Sequence, residues 1–390
     1  MPPTKATHQL TKQHNRDMIL KTVFETESIS RAEIARVTKL TRTTVSEVVA
    51  GLLSEGLVRE MGLSESIGGK PSILLSLVAD SRYLIGLNLA QNKFIGAVVN
   101  LRGEIKKTIE IPIQDEDGEV ALKRVYQILD NLLKEQWKPI VGIGVGAPGL
   151  INTRDGVVLQ AVNLDWQNVP LGHLLQQRYN LPVSVMNDSQ ATAIGEFVYG
   201  DHGSDSNLIV VNVRRGIGAG ILINGRIFQG DGGAAGEIGH VLAQENGLLC
   251  RCGRRGCLET VASAQAMLLR AQSLSTPNEF LTLDELETKF FEGNAIARQA
   301  VLEAGRYLGT SLGSLVGTLN IKKIVLTGDI TCFGQPWLDS VQQAMVQAAL
   351  GRMVQETELR SGKLDYAACI LGAAAHLLLD GYSLLFKRES

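Results

Sequence analysis

The chain has 390 residues, of which 45% are hydrophobic and 20% charged, and its net charge is −2. That length predicts two or three domains, and the balance is that of a soluble globular protein, not a polycation or a low-complexity chain. No apolar run is long enough to cross a membrane, and the opening "MPPTKATHQLTKQHNRD" lacks the apolar core of a signal peptide. The expected location is the cytoplasm, where clustered cysteines more often hold metal or do chemistry than form disulfides.

The first fifty residues depart from the average, with eight Lys+Arg against five Asp+Glu. That mild excess permits nucleic-acid contact. Ile19, Leu20, Val23 and Phe24 have helical spacing. Ser30 and Glu33 form the Ser-x-x-Glu pattern of a capping box, predicting a second helix through Val37. After the turn "TKL", Val45, Val48, Val49, Leu52 and Leu53 share one face of a third helix, which Gly56 stops. This is a helix-turn-helix. Its third helix opens on Arg42, Thr43, Thr44 and Ser46, polar groups that can reach base edges in the major groove of double-stranded DNA. Strands "LVREM" and "SILLSL" flank the tip "SESIGGK", a wing whose Lys70 is suited to a phosphate contact. Residues 1–80 are thus expected to form a winged helix-turn-helix DNA-binding domain, with a small protein-docking module as the alternative.

From Tyr83 the texture changes. "YLIGLNLA", "KFIGAVVNL" and "EIKKTIEIPI" read as hairpin strands, followed by a helix over about 118–136. "PIVGIGVGAPG" and "VSVMND" read as buried strands, and a helix opens at Ser189. The pattern then recurs: "NLIVVNVR", "GAGILING" and "RIFQG", a long helix through "AVLEAGRYLGTSLGSLVGTL", and strand "KIVLTG". The repetition predicts a duplicated α/β fold with one lobe over 81–195 and a second over 196–365. A C-terminal helix at about 366–390 should return to the first lobe. Ligands in such folds sit beyond the carboxyl ends of the strands. Gly146 and Gly149 of "GAPG" are expected to let backbone approach the ligand.

"GDGGAAGEIGH" followed by "CRCGRRGCLE" resembles the signature of the ROK family of repressors and sugar kinases. "GVGAPGLIN", "VMNDSQATAIGE" and "IGAGILINGRI" match the same family in the same order, so the resemblance runs from Tyr83 to the end. The head is similar to that of the ROK transcriptional regulators. The resemblance implies an actin/hexokinase-like (ribonuclease H-like) two-lobed body. It also implies a sugar site of Asn187, Asp188, Glu237, His240 and Glu259, approached by Asn163. Taken singly, Asp188 reads as a helix N-cap and Glu237 as a solvated loop carboxylate. Together these groups can donate to and accept from ring hydroxyls.

Cys250, Cys252 and Cys257 with His240 supply a Cys3His set, the preference of structural Zn²⁺. Such a metal would brace the loop carrying Glu237 and Glu259. Arg251, Arg254 and Arg255 are expected to lower the thiolate pKa values. Cys332 and Cys369 read as packing residues.

The family's kinases keep a general base where Asp188 stands, but they also need nucleotide loops. Their Asp-x-Gly-Gly-Thr is here Asn88, Leu89, Ala90, Gln91, Asn92. Their Gly-Thr-Gly reads Arg214, Arg215, Gly216, and their Gly-Gly-Gly reads Thr327, Gly328, Asp329. Phosphoryl transfer is mostly positioning and charge neutralisation, so the expectation is no enzyme activity. Arg214 and Arg215 read as a solvated surface pair. The expected function is a sugar-responsive repressor of carbohydrate-metabolism genes, a homodimer or homotetramer on its operator. A sugar kinase with a DNA-binding head, and a regulator controlled by a docked protein, stay open.

Overall fold

The computed structural model describes residues 8–63, 71–90, 92–113, 118–135, 137, 139–202, 206–276 and 279–379. Lys70 and Gln91 lie outside them.

The head contains α1 (His8–Phe24), β1 (Ile29–Ser30), α2 (Arg31–Thr38), α3 (Arg42–Ser54), β2 (Val58–Leu63) and β3 (Ile73–Leu77). Ser30 caps α2 in a full capping box with Glu33. Thr41 caps α3 by accepting from the Thr44 amide. Lys39, between the two helices, is left-handed at φ 58°, which gives the turn its sharpness. Strands β2 and β3 pair antiparallel, with β1 on the far edge of β3. Ile19, Leu20, Ile34, Val45, Val49 and Leu52 are fully buried within the head.

The body starts with the antiparallel meander β4 (Tyr83–Leu89), β5 (Lys93–Asn100) and β6 (Ile105–Pro112). Then follow α4 (Gly118–Lys134), β7 (Ile140–Ala147), β8 (Leu150–Asn152), β9 (Val157–Ala161), β10 (Trp166–Val169), α5 (Leu171–Tyr179), β11 (Val183–Asn187) and α6 (Asp188–Tyr199). The second meander is β12 (Leu208–Val213), β13 (Ile217–Ile223) and β14 (Arg226–Ile227). After it come α7 (Glu259–Ala262), α8 (Ala264–Leu274), α9 (Leu283–Phe291), α10 (Ala295–Leu319), β15 (Lys323–Thr327), α11 (Gly334–Ala348), α12 (Gly351–Gln355), β16 (Glu358–Ser361) and α13 (Tyr366–Leu379).

The duplication is visible in the sheets. One runs β11-β7-β4-β5-β6 and the other, read from its opposite edge, β16-β15-β12-β13-β14. In each, the first meander strand gains two parallel neighbours on its free side. The small sheet β8-β9-β10 has no counterpart in the sequence reading, because its strands are only three to five residues long.

Two helices tie the lobes together. Helix α13 packs on β4 and β7, and α6 packs on β12 and β13 while lying against α13. The contact is very close. A Cβ at Gly144 would lie 1.9 Å from the Ala373 carbonyl oxygen, and one at Gly146 would lie 2.4 Å from Cys369 Sγ. Gly146 is therefore explained by helix packing, which corrects its expected role in ligand approach. Gly149 adopts φ +88°, and a Cβ there would meet the Gln160 carbonyl at 2.1 Å. It too has a structural reason to be glycine.

The head does not hang on a linker. Its core is continuous with Leu84, Val99 and Leu101 of the first lobe and Leu371 and Leu378 of α13. The Arg102 guanidinium donates to the Phe24 carbonyl at 2.5 Å and the Thr26 carbonyl at 2.7 Å, at the end of α1. Beside it, Gly103 receives the Tyr199 ring, 2.7 Å from where a Cβ would stand.

Candidate functional site

A cleft of about 720 Å³ opens between the lobes, at the carboxyl ends of β7, β11, β12 and β15. Asn163, Asn187, Asp188, Glu237, His240 and Glu259 all line it. They come from a first-lobe loop, the start of α6, the loop after β14 and the start of α7.

Their environments differ. Asn187 is the cap of α6: its Oδ1 accepts from Ser189 and Gln190 amides, and its Nδ2 donates to the Gly149 carbonyl at 3.0 Å. Asp188 is thus the first residue of the helix rather than its cap. Burial pushes its carboxyl up, opposed by the Ser189 amide and the Arg214 charge. Burial also pushes Glu237 up, to about 7, reinforced by Asp188 and Glu259 and opposed by Arg251. It is not a solvated loop carboxylate. Glu259 is buried, accepts from the Ile217 amide at 3.2 Å and is held by Arg251. The result is a polar floor with less positive charge than its carboxylates require, which is suited to accepting hydroxyl protons.

The sequence suggests for Arg251 only an electrostatic effect on the thiols. Instead it turns into the cleft. Its Nε and Nη2 reach the two Glu259 oxygens at 2.9 and 3.0 Å, and its Nη1 donates to Asn163 Oδ1 at 2.8 Å. Asn163 lies 88 residues away in the chain, so no local pattern announces the contact.

His240, Cys250, Cys252 and Cys257 place their ligand atoms within 4.8 Å of one another. Cys250 Sγ lies 3.6 Å from His240 Nδ1, and Cys252 Sγ lies 3.6 Å from Cys257 Sγ. Tetrahedral zinc, with bonds of about 2.3 Å to sulfur and about 2.0–2.1 Å to nitrogen, needs edges of about 3.8 Å between sulfurs and about 3.6 Å between sulfur and nitrogen. The four residues fit a metal ion. Without one the thiols are not uniformly activated, contrary to expectation. Burial raises Cys250, and raises Cys257 to about 12. Cys252 alone is lowered: burial opposes this, but the Arg254 amide and the neighbouring thiols prevail. Cys369 is buried under Gly146, in keeping with packing.

The other end of the cleft is closed by its own charges. Arg214 Nη1 donates to Asp329 at 2.7 Å and Nη2 to Asp365 at 3.3 Å, and its guanidinium lies 3.8 Å from the centre of the Tyr366 ring. The Tyr366 hydroxyl donates to the same Asp329 oxygen at 2.9 Å, and Lys93 Nζ sits 5.0 Å from the ring centre. Arg214 is therefore not half of a solvated pair, while Arg215 is exposed. Asn88 is buried at the end of β4.

On the head, Arg42, Thr43 and Ser46 are exposed, whereas Thr44 is half-buried with its hydroxyl 2.9 Å from that of Thr41. Lys39 and Arg59, not singled out from the sequence, are exposed as well. Among the described residues, no helix is long and apolar enough to cross a membrane.

Comparison with known proteins agrees with this geometry. The model of the ROK family matches residues 84–379. A xylose repressor of Caldicellulosiruptor bescii is 33% identical over 96% of this chain and 97% of its own. A glucokinase of Halalkalibacterium halodurans is 32% identical, over 75% of this chain and 93% of its own. Among solved structures, a ROK family transcriptional regulator described as a homologue of the Escherichia coli MLC protein superposes with a TM-score of 0.83 at 27% identity, covering 96% of this chain and 97% of that one.

Proposed function

Because the chain belongs to the ROK family, we propose that it is a sugar-responsive transcriptional repressor. The winged helix-turn-helix holds an operator in double-stranded DNA, and a sugar or sugar derivative in the cleft alters that hold. One observation carries the reading: a helix-turn-helix head with Arg42, Thr43 and Ser46 exposed shares a continuous core with a body whose cleft gathers six polar groups. A ligand changes DNA affinity only if it favours one arrangement over another, and a packed head cannot ignore its body.

Asn163, Asn187, Asp188, Glu237, His240 and Glu259 contact the sugar. Arg42, Thr43 and Ser46 face the bases, with Thr44 divided between them and its helix cap, and Lys70 meets phosphate. His240, Cys250, Cys252 and Cys257 would hold a structural Zn²⁺, with His240 Nδ1 toward the metal and Nε2 left for the cleft. A homodimer or homotetramer places two heads on the half-sites of one operator. The test is an anisotropy titration of operator DNA with and without D-xylose. Arg42→Ala should weaken specific binding by about 1–3 kcal/mol. Full operator affinity in Arg42→Ala, or no response to D-xylose or any other sugar tried, overturns the corresponding half of the reading.

A sugar kinase is the second reading, favoured by the glucokinase relative and by Asp188 as a base. Against it stand Asn88 in place of a metal-binding carboxylate and the Arg214–Asp329–Tyr366 cluster in the nucleotide position. ADP release that requires D-glucose and Mg²⁺–ATP, and vanishes in Asp188→Ala, would establish a kinase.

A further inference from the structure

Arg251 occupies the cleft in a way the sugar-binding reading, on which this inference rests, does not require. Its Nη1 and Nη2 donate to Asn163 Oδ1 at 2.8 Å and to one Glu259 oxygen at 3.0 Å, and its Nε stands 2.9 Å from the other Glu259 oxygen. These are acceptors that sugar hydroxyls would use. Glu259 opens α7 in the second lobe and Asn163 sits beside β9 in the first, so the guanidinium also bridges the two lobes. The contact joins a hydrogen bond from Nη2 to a close ion-pair approach of Nε, one guanidinium edge set against both carboxylate oxygens. Glu259 is 10% exposed and Arg251 35% exposed at their side chains, so the pair is only partly screened by water.

We propose that Arg251 is an internal competitor for the sugar. In the sugar-free protein it fills the hydrogen-bonding positions of Asn163 and Glu259 and latches the lobes. A sugar enters by replacing its N–H groups with hydroxyls, and the freed side chain releases the first lobe. The backbone of Arg251 lies between Cys250 and Cys252, two of the four clustered ligand residues. A braced backbone confines the exchange to side-chain rotation, so the competition is local and fast. Its effect is a threshold: if the inward rotamer holds about 90% of molecules, the apparent sugar affinity is about tenfold below that of the open site.

The sign of one substitution separates this from the alternative. A residue that contacts sugar weakens binding when removed, whereas a competitor strengthens it. Calorimetry with D-xylose and D-glucose on Arg251→Ala should show affinity raised about tenfold. Arg251→Lys, which keeps the charge but loses the fork, should lie between. Metal content is measured in parallel, so that loss of the ion is recognised. Unchanged or weakened binding in metal-loaded Arg251→Ala overturns the proposal. A second readout needs no sugar: the distance between spin labels placed on α5 and α9, one on each lobe. Arg251→Ala should broaden or lengthen it in the sugar-free protein, and an unchanged distribution removes the latch. If the wild type binds neither sugar, the choice of sugar or the sugar reading is at fault, and the label distances still judge Arg251.

Discussion

The two ends of the cleft use the same side-chain types to opposite effect. At one end Asp188, Glu237 and Glu259 crowd together, and the guanidinium that reaches them, Arg251, pairs with Glu259 and Asn163 only. At the other, Arg214 is matched against Asp329, Asp365 and the Tyr366 ring. The first end keeps under-neutralised acceptors: burial raises the pKa values of Asp188 and Glu237, and the neighbouring carboxylates raise Glu237 further. At the second, the Arg214 charge is paired with two carboxylates, while Arg215 stays exposed. On the proposed function, the hydroxyl-binding end would differ from the other in how completely its charges are spent, not in which residue types are present.

The comparison can be broken most severely at the metal loop. Cys252→Ala should remove about one equivalent of metal and abolish the sugar response of operator binding, because the loop carries both His240 and the approach to Glu259. Metal-free protein with intact sugar response would show that the hydroxyl end stands without its brace. The next largest effect contrasts one carboxylate from each end. Asp188→Ala should lower sugar affinity on the order of a hundredfold, since a hydroxyl loses its buried partner. Asp329→Ala should change it by less than about threefold, because Asp329 is spent on Arg214 and Tyr366 and reaches Asp188 only through the Arg214 charge. Calorimetry on the two variants decides, and equal losses would erase the distinction between the ends.

The smallest expected effect is in pH dependence. Glu237 titrates near 7 when folded, against an ordinary value of 4.5. The folded state then binds more protons than the unfolded state between those values, so its contribution to stability falls as pH rises through that window. Glu237→Gln has no such proton to lose. In denaturant titrations without sugar it should be more stable than the wild type by roughly 1 kcal/mol at pH 8, with the difference vanishing toward pH 5. A difference that does not change with pH would mean that Glu237 is ionised throughout.

Much of this was legible in the sequence for local reasons. The capping box at Ser30 and Glu33, the alternation of strands and helices, and motifs recurring in a fixed order each reside in a few adjacent residues. The six residues that the motifs suggest for a sugar site all line one cleft. What stayed hidden depends on distant pairing. Arg251 meets Asn163 across 88 residues, and Arg214 meets Asp329 and Asp365 across 115 and 151. One signal was available and misread. Gly142, Gly144 and Gly146 alternate along β7, so all three face the same side of the sheet, and they mark where α13 lies against the strand rather than where a ligand does.

Helix α6 begins at Asp188 in the cleft and ends at Tyr199, whose ring presses on Gly103 next to the arginine that grips the end of α1. Twelve residues of helix span about 18 Å. In the proposed regulator such a rod would be a lever arm, with one end in the cleft and the other against the turn that holds α1. A tilt of about 5° around Asp188 carries the far end by about 1.5 Å over that length. The Tyr199 ring lies where a Cβ at Gly103 would come within 2.7 Å of it, so a displacement of that size would press directly on the turn that carries Arg102.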